Sequence, residues 1–91
     1  MINPDSKAKS SLKEKMIEQG REDAIQAKAL LPISISEIKT NSPLTTVNLL
    51  NKAIRWGRAR GWTRKEIIGI SDMLLESYID GWNAIIKGDS R

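Results

Sequence analysis

Apolar positions recur along this 91-residue chain at helical spacing, and Pro and Gly mark the places where each run stops. A helix advances about 100° per residue, so residues three and four apart share a face. The first run predicts a helix over 5–31, with Leu12, Met16, Gly20, Ala24, Ala27 and Leu31 on one side, interrupted by Lys13 and Asp23. Small side chains on that face suit close helix contact but bury little area. Glu14, Glu18 and Glu22 form an acidic stripe on the opposite side. Ser11 and Glu14 have capping-box spacing, which places an alternative ordered start near Ser11. Pro32 is expected to end this helix, because the residue before a proline disfavours α geometry.

The next stretch, 32-PISISEIKTNSP-43, alternates Ile and Ser and reads as a linker pinned by three Ile, or else as a short strand. A second helix over 43–60 is clearly delimited. Ser42 is its expected N-cap, Pro43 its first residue, and Gly61 its left-handed stop. Val47, Leu49, Leu50, Ala53, Ile54, Trp56 and Gly57 cover one half of it; Asn48, Asn51, Lys52, Arg55 and Arg58 cover the other. Thr63 and Glu66 then have capping-box spacing and open a third helix over 63–87. Its apolar arc runs through Ile67, Ile68, Ile70, Leu74, Leu75, Tyr78, Ile79, Trp82, Ile85 and Ile86, with Glu66, Asp72, Glu76 and Asp80 on the reverse. Gly61, Trp62 and Thr63 therefore read as a tight corner between two helices, leaving a short tail at 88–91. The expected architecture is an all-α small helical bundle in one domain: an αα-hairpin of two longer amphipathic helices, with a looser N-terminal helix.

A chain this short has a thin core, and a third helix of this length carries more apolar surface than the second can cover. The first helix or a second subunit must cover the rest, and a homodimer is expected. The absence of Cys excludes disulfides, thiolate zinc sites and a cysteine nucleophile. The absence of His removes the commonest general base and nitrogen ligand. Asp72, Glu76 and Asp80 share a spacing that could hold a divalent cation, but acids on the back of an amphipathic helix are expected for solubility. No catalytic activity, cofactor or metal is expected. The charged start 7-KAKSSLKEK-15 lacks the apolar core of a secretory signal, and no apolar run approaches a membrane span. A cytoplasmic protein without membrane contact is the expectation.

The net charge of +4 is unevenly spread: residues 43–62 hold Lys52, Arg55, Arg58 and Arg60 and no acid. Arg64 and Lys65 follow in the first turn of the third helix, where free backbone N–H groups add a natural phosphate seat. The stretch 55-RWGRARGWTRKE-66 thus gathers cations around two Trp, and it is the candidate binding region. Its expected contact residues are Lys52, Arg55, Arg58, Arg60, Arg64, Lys65, Trp56 and Trp62. The expected role is a small regulator touching DNA or RNA phosphates. The competing role is an adaptor or inhibitor that binds a partner protein, since Trp and Arg are enriched in interface hot spots.

Two DNA-binding layouts bear on that expectation. The segment 67-IIGIS-71 is similar to the Gly-x-Ser turn of a helix-turn-helix, but 72-DMLLESYIDGW-82 would then offer acids to the groove. An unbroken helix across Gly69 is expected instead. With 33–38 as a strand, the chain from Ile33 to about Tyr78 resembles the ribbon-helix-helix family. That resemblance implies Ser34 and Ser36 as base readers and Thr63, Arg64 and Lys65 as phosphate anchors. The long link 39-KTNS-42, the lack of Arg, Lys, Asn or Gln among the readers, and the long third helix depart from the pattern.

Overall fold

The computed structural model describes residues 4–88, with side chains described from Ser11 onward; residues 89–91 of the expected tail lie outside the described part. Among the described residues the fold is all-α, a bundle of five helices: α1 (Pro4–Ala27), α2 (Ile35–Asn41), α3 (Pro43–Arg58), α4 (Arg64–Gly69) and α5 (Ser71–Ile86). Among the described residues, no helix is long and apolar enough to cross a membrane.

The tight corner still joins α3 to the α4–α5 segment, but the most extensive packing is between α1 and α5, so the first helix is not the looser element expected. The two run antiparallel, with Ile17 against Gly81 and Gly20 against Tyr78. A Cβ on Gly20 would overlap the Tyr78 carbonyl oxygen, and a Cβ on Gly81 would overlap that of Ile17. The backbones therefore touch through the two glycines. Leu12, Met16, Leu74, Leu75 and Tyr78 form the core around that contact, completed by Ile38, Leu49, Ala53, Trp62, Ile67 and Ile79. The small-residue face of α1 gives the close contact its composition predicts, and Glu14, Glu18 and Glu22 face solvent. Leu31, expected on the buried face, is instead 76% exposed, and Ala27 is exposed as well.

That difference follows from where α1 stops. Lys28 takes a left-handed φ of 52°, its N–H donates to the Ile25 carbonyl, and the Ala29 N–H reaches back to Ala24 at 2.9 Å. This pair of bonds terminates the helix four residues before the position set by Pro32, with a Lys where Gly is usual. The start at Pro4, well before Ser11, rules out the later beginning.

The Ile-Ser stretch is neither linker nor strand, because α2 forms there. The Ser34 hydroxyl accepts from the Glu37 N–H at 3.2 Å and donates to the Glu37 carboxylate at 3.1 Å. Ile35 and Ile38 then meet the core at helical spacing, Ile38 fully. With no strand here, the ribbon-helix-helix layout is excluded. Asn83 of α5 clamps the chain just before α2: its Oδ1 accepts from the Ile33 N–H at 3.0 Å, and its Nδ2 donates to the Ile33 carbonyl at 3.1 Å.

Helix α3 starts at Pro43 as expected, although the Ser42 side chain makes no capping bond. The Thr46 hydroxyl serves the α2–α3 junction instead, donating towards the carbonyls of Ile38 and Ser42. The far end matches the reading of its sequence, with α3 closing at Arg58. Gly61 has φ of 92°, its N–H donates to Arg58, and the Trp62 N–H donates to Gly57 at 3.0 Å. This is the same 6→1 and 5→2 pair that ends α1. Thr63 and Glu66 make the reciprocal capping box.

The expected continuous third helix is broken. Ile70 leaves helical geometry at φ −113°, ψ 20°, and separates α4 from α5. The break lets Ile67 bury itself against Gly57 of α3 while α5 lies along α1; Ile68, expected in the apolar arc, is half exposed. The broken segment still does not make a helix-turn-helix reader. Helix α5 is a core helix, with Leu74, Leu75, Tyr78 and Ile79 buried and only acids such as Glu76 and Asp80 turned outward. Asp72 is held by Lys39 of α2 at 2.7 Å, an exposed pair that contributes little.

Candidate nucleic-acid interface

Helix α3 contains no acid, so its cations have no i, i+4 partner on their own helix. Arg55 and Arg58 occupy its last turn, Arg60 the turn after it, and Arg64 and Lys65 the first turn of α4. All five are exposed. Among the described residues none of the five is paired with an acid, so the Glu14–Glu18–Glu22 stripe does not neutralise them within this chain. Cations in a last helical turn also favour the helix dipole by about 0.3–1 kcal/mol each, which accounts for part of the placement of Arg55 and Arg58. Arg60, Arg64 and Lys65 gain nothing from that effect.

The other expected contacts fare differently. Lys52 turns inward and donates to the Gln19 side chain of α1 at 3.2 Å. Trp56 is half-buried, with the Lys15 ammonium 5.4 Å from its ring centroid, so one face is already covered by a cation. Trp62, expected as a contact, is only 9% exposed and belongs to the core. It packs there because the turn at Gly61 folds it back over the end of α3. The phosphate seat expected at the start of α4 is occupied from within. The Glu66 carboxylate accepts from the Thr63 N–H at 2.8 Å, and the bonds to Thr63 hold its pKa below the usual carboxylate value.

Two features were hidden from sequence reasoning. Tyr78 donates its hydroxyl to Asp23 at 2.6 Å, and the other Asp23 oxygen accepts from Gln19 at 2.9 Å. Burial, then the bond to Asp23 and its charge, push the Tyr78 hydroxyl well above its ordinary pKa. The available signal was Asp23 itself: an acid interrupting an apolar helix face needs a donor from the neighbour it packs against. The second feature is a cleft of about 630 Å³ between α1, α2 and α5, with Asp23, Glu37, Ile33, Tyr78 and Trp82 among its walls. The Trp82 ring N–H donates to the Leu31 carbonyl at 3.2 Å. Leu30, next to it, is 87% exposed.

No protein-family model matches the chain, and no curated protein or solved structure shows significant similarity to it.

Proposed function

We propose that this protein is a small non-catalytic binding protein whose basic corner contacts the phosphates of nucleic acid. The supporting observation is the set of five exposed, acid-free cations, Arg55, Arg58, Arg60, Arg64 and Lys65, spread over the end of α3 and the start of α4. Each phosphate neutralised releases counterions, so five contacts on duplex DNA correspond to a log–log salt slope of about −4 to −5. Affinity then falls by roughly 500-fold between about 50 and 200 mM salt. Fluorescence anisotropy with labelled duplex DNA and single-stranded RNA at those two salt concentrations tests the proposal. Arg58→Ala with Arg60→Ala should weaken binding to all sequences alike and lower the slope by about two. Unchanged affinity in the double variant would remove the corner from the role.

A second reading, a regulator that binds a partner protein or a second copy of itself, has its own support in the apolar side chains of Leu30 and Leu31, 87% and 76% exposed. Association through these residues buries apolar surface and is insensitive to salt. Sedimentation of the wild type and of Leu30→Ser with Leu31→Ser tests the self-association form.

A further inference from the structure

The exposed face of α3 is more specific than a charge stripe. At 100° per residue, Leu44, Val47, Asn48, Asn51, Arg55 and Arg58 fall within an arc of about 100°. All six are exposed. A face kept only for solubility would mix Lys and Glu in i, i+4 pairs. This one carries no acid, two amides, two guanidiniums, and two apolar side chains that are 72% and 52% exposed (Leu44 and Val47). The bordering acid, Asp23, lies beside Asn48 and Asn51 in the groove between α1 and α3, and both its carboxylate oxygens are engaged by Tyr78 and Gln19.

We infer that α3 is a reading helix that enters the major groove of duplex DNA, with Asn48, Asn51 and Arg55 contacting base edges and Leu44 and Val47 meeting thymine methyls. The inference rests on the phosphate reading above and goes beyond it by adding sequence preference and a duplex substrate. The chemistry matches the groove: Asn pairs with both Hoogsteen positions of adenine, Arg with those of guanine, and apolar groups with the thymine methyl. The dimensions match as well. From Asn48 to Arg55 the helix rises about 10 Å, which covers about three base-pair steps of about 3.4 Å. A helix with its side chains, about 10–12 Å across, fits a groove about 12 Å wide. Arg58 ends this face, and the exposed Arg60, Arg64 and Lys65 follow in the turn after α3 and the first turn of α4, as candidates for the flanking phosphates.

Duplex DNA is favoured over RNA by the state of the aromatic residues. Single strands are gripped by stacking bases on exposed rings, and the deep groove of an RNA helix admits no side chains. Here Trp62 is in the core, and Trp56 and Trp82 are half-buried against it, Trp56 with the Lys15 ammonium over its ring. None is presented as a stacking platform.

Selection from a randomised duplex library, followed by anisotropy on the selected and a random duplex, tests the inference. The wild type should enrich a short motif containing adenine and guanine. Asn48→Ala with Asn51→Ala should lower the selected-to-random affinity ratio by roughly 5- to 150-fold per lost bidentate contact, while random-duplex binding and its salt slope persist. Both positions are exposed, and an unchanged melting temperature confirms that the variant folds. Equal affinity of the wild type for selected and random duplexes overturns the inference and leaves the phosphate reading standing, as does a ratio unmoved in the double variant. Binding confined to single-stranded RNA also overturns it alone. Failure to bind any nucleic acid at low salt removes both.

Discussion

Replacing Gly20 with Ala tests the central contact of the fold. A Cβ there would overlap the Tyr78 carbonyl oxygen and lie 2.9 Å from its carbon and 3.0 Å from the Trp82 nitrogen, all backbone atoms of α5. Ordinary carbon contacts begin near 3.5 Å, so α1 and α5 must part by on the order of an ångström. Parting loosens the seam where Leu12, Met16, Leu74, Leu75 and Tyr78 pack, and overpacking of this kind costs about 1–3 kcal/mol, more where backbone rather than a side chain must yield. Against this, Ala is favoured over Gly inside a helix by about 1 kcal/mol. A net loss of about 2 kcal/mol corresponds to a fall in Tm of roughly 10 °C for a domain of this size. Gly81→Ala should behave alike, since its Cβ would overlap the Ile17 carbonyl oxygen. Gly69→Ala is the control, because nothing lies within 4 Å of its Cβ position. Thermal unfolding followed by circular dichroism reads all three. If Gly20→Ala melts at or above the wild-type temperature, as Gly69→Ala is expected to, the glycine seam between α1 and α5 is wrong.

The other predictions concern the attachments around that seam. Asn83→Ala removes both bonds that hold Ile33, and should raise amide hydrogen exchange across residues 28–38 while leaving exchange in α5 largely unchanged. Unaltered exchange there would mean that the clamp does not order the loop. The Tyr78–Asp23 bond sets an alkaline limit. Because the folded pKa of Tyr78 is raised above its unfolded value of about 10, its contribution is fully present below that pH and is lost as pH rises beyond it, where the unfolded chain releases the proton first. Stability should therefore fall above pH ~10 by up to about 1.4 kcal/mol per pH unit from this group. Tyr78→Phe, compared by urea unfolding at neutral pH and near pH 11, should narrow its stability deficit as pH rises. A deficit that stays constant would show that Tyr78 is not linked to the transition.

Local chemistry made much of this protein legible before its fold. Pro43 and Gly61 bound α3 because one residue lacks an N–H at a position that needs none and the other tolerates positive φ. Thr63 and Glu66 cap α4 because their spacing satisfies two donors at once. The basic character of the corner was equally plain, since no acid lies between Pro43 and Trp62. Each of these features depends on residues within a turn of one another.

Packing between distant segments decided the rest. Ser34 and Glu37 have capping spacing of their own, but four alternating Ile and Ser residues fit a strand equally well until Ile38 finds the core. Lys28 ends α1 in a conformation that its side chain disfavours, while the clamp from Asn83 draws the chain on towards α5. Ile70 breaks an uninterrupted apolar arc because Ile67 must reach Gly57 of α3 while Leu74 and Tyr78 remain in the core. The same packing moved Trp62 from the candidate contacts into the core, turned Lys52 towards Gln19, and left Asn48, Asn51 and Arg55 together on open surface. A periodic pattern reports which residues share a helix face; which faces meet, and which remain outside, depends on the fit between helices that the pattern does not encode.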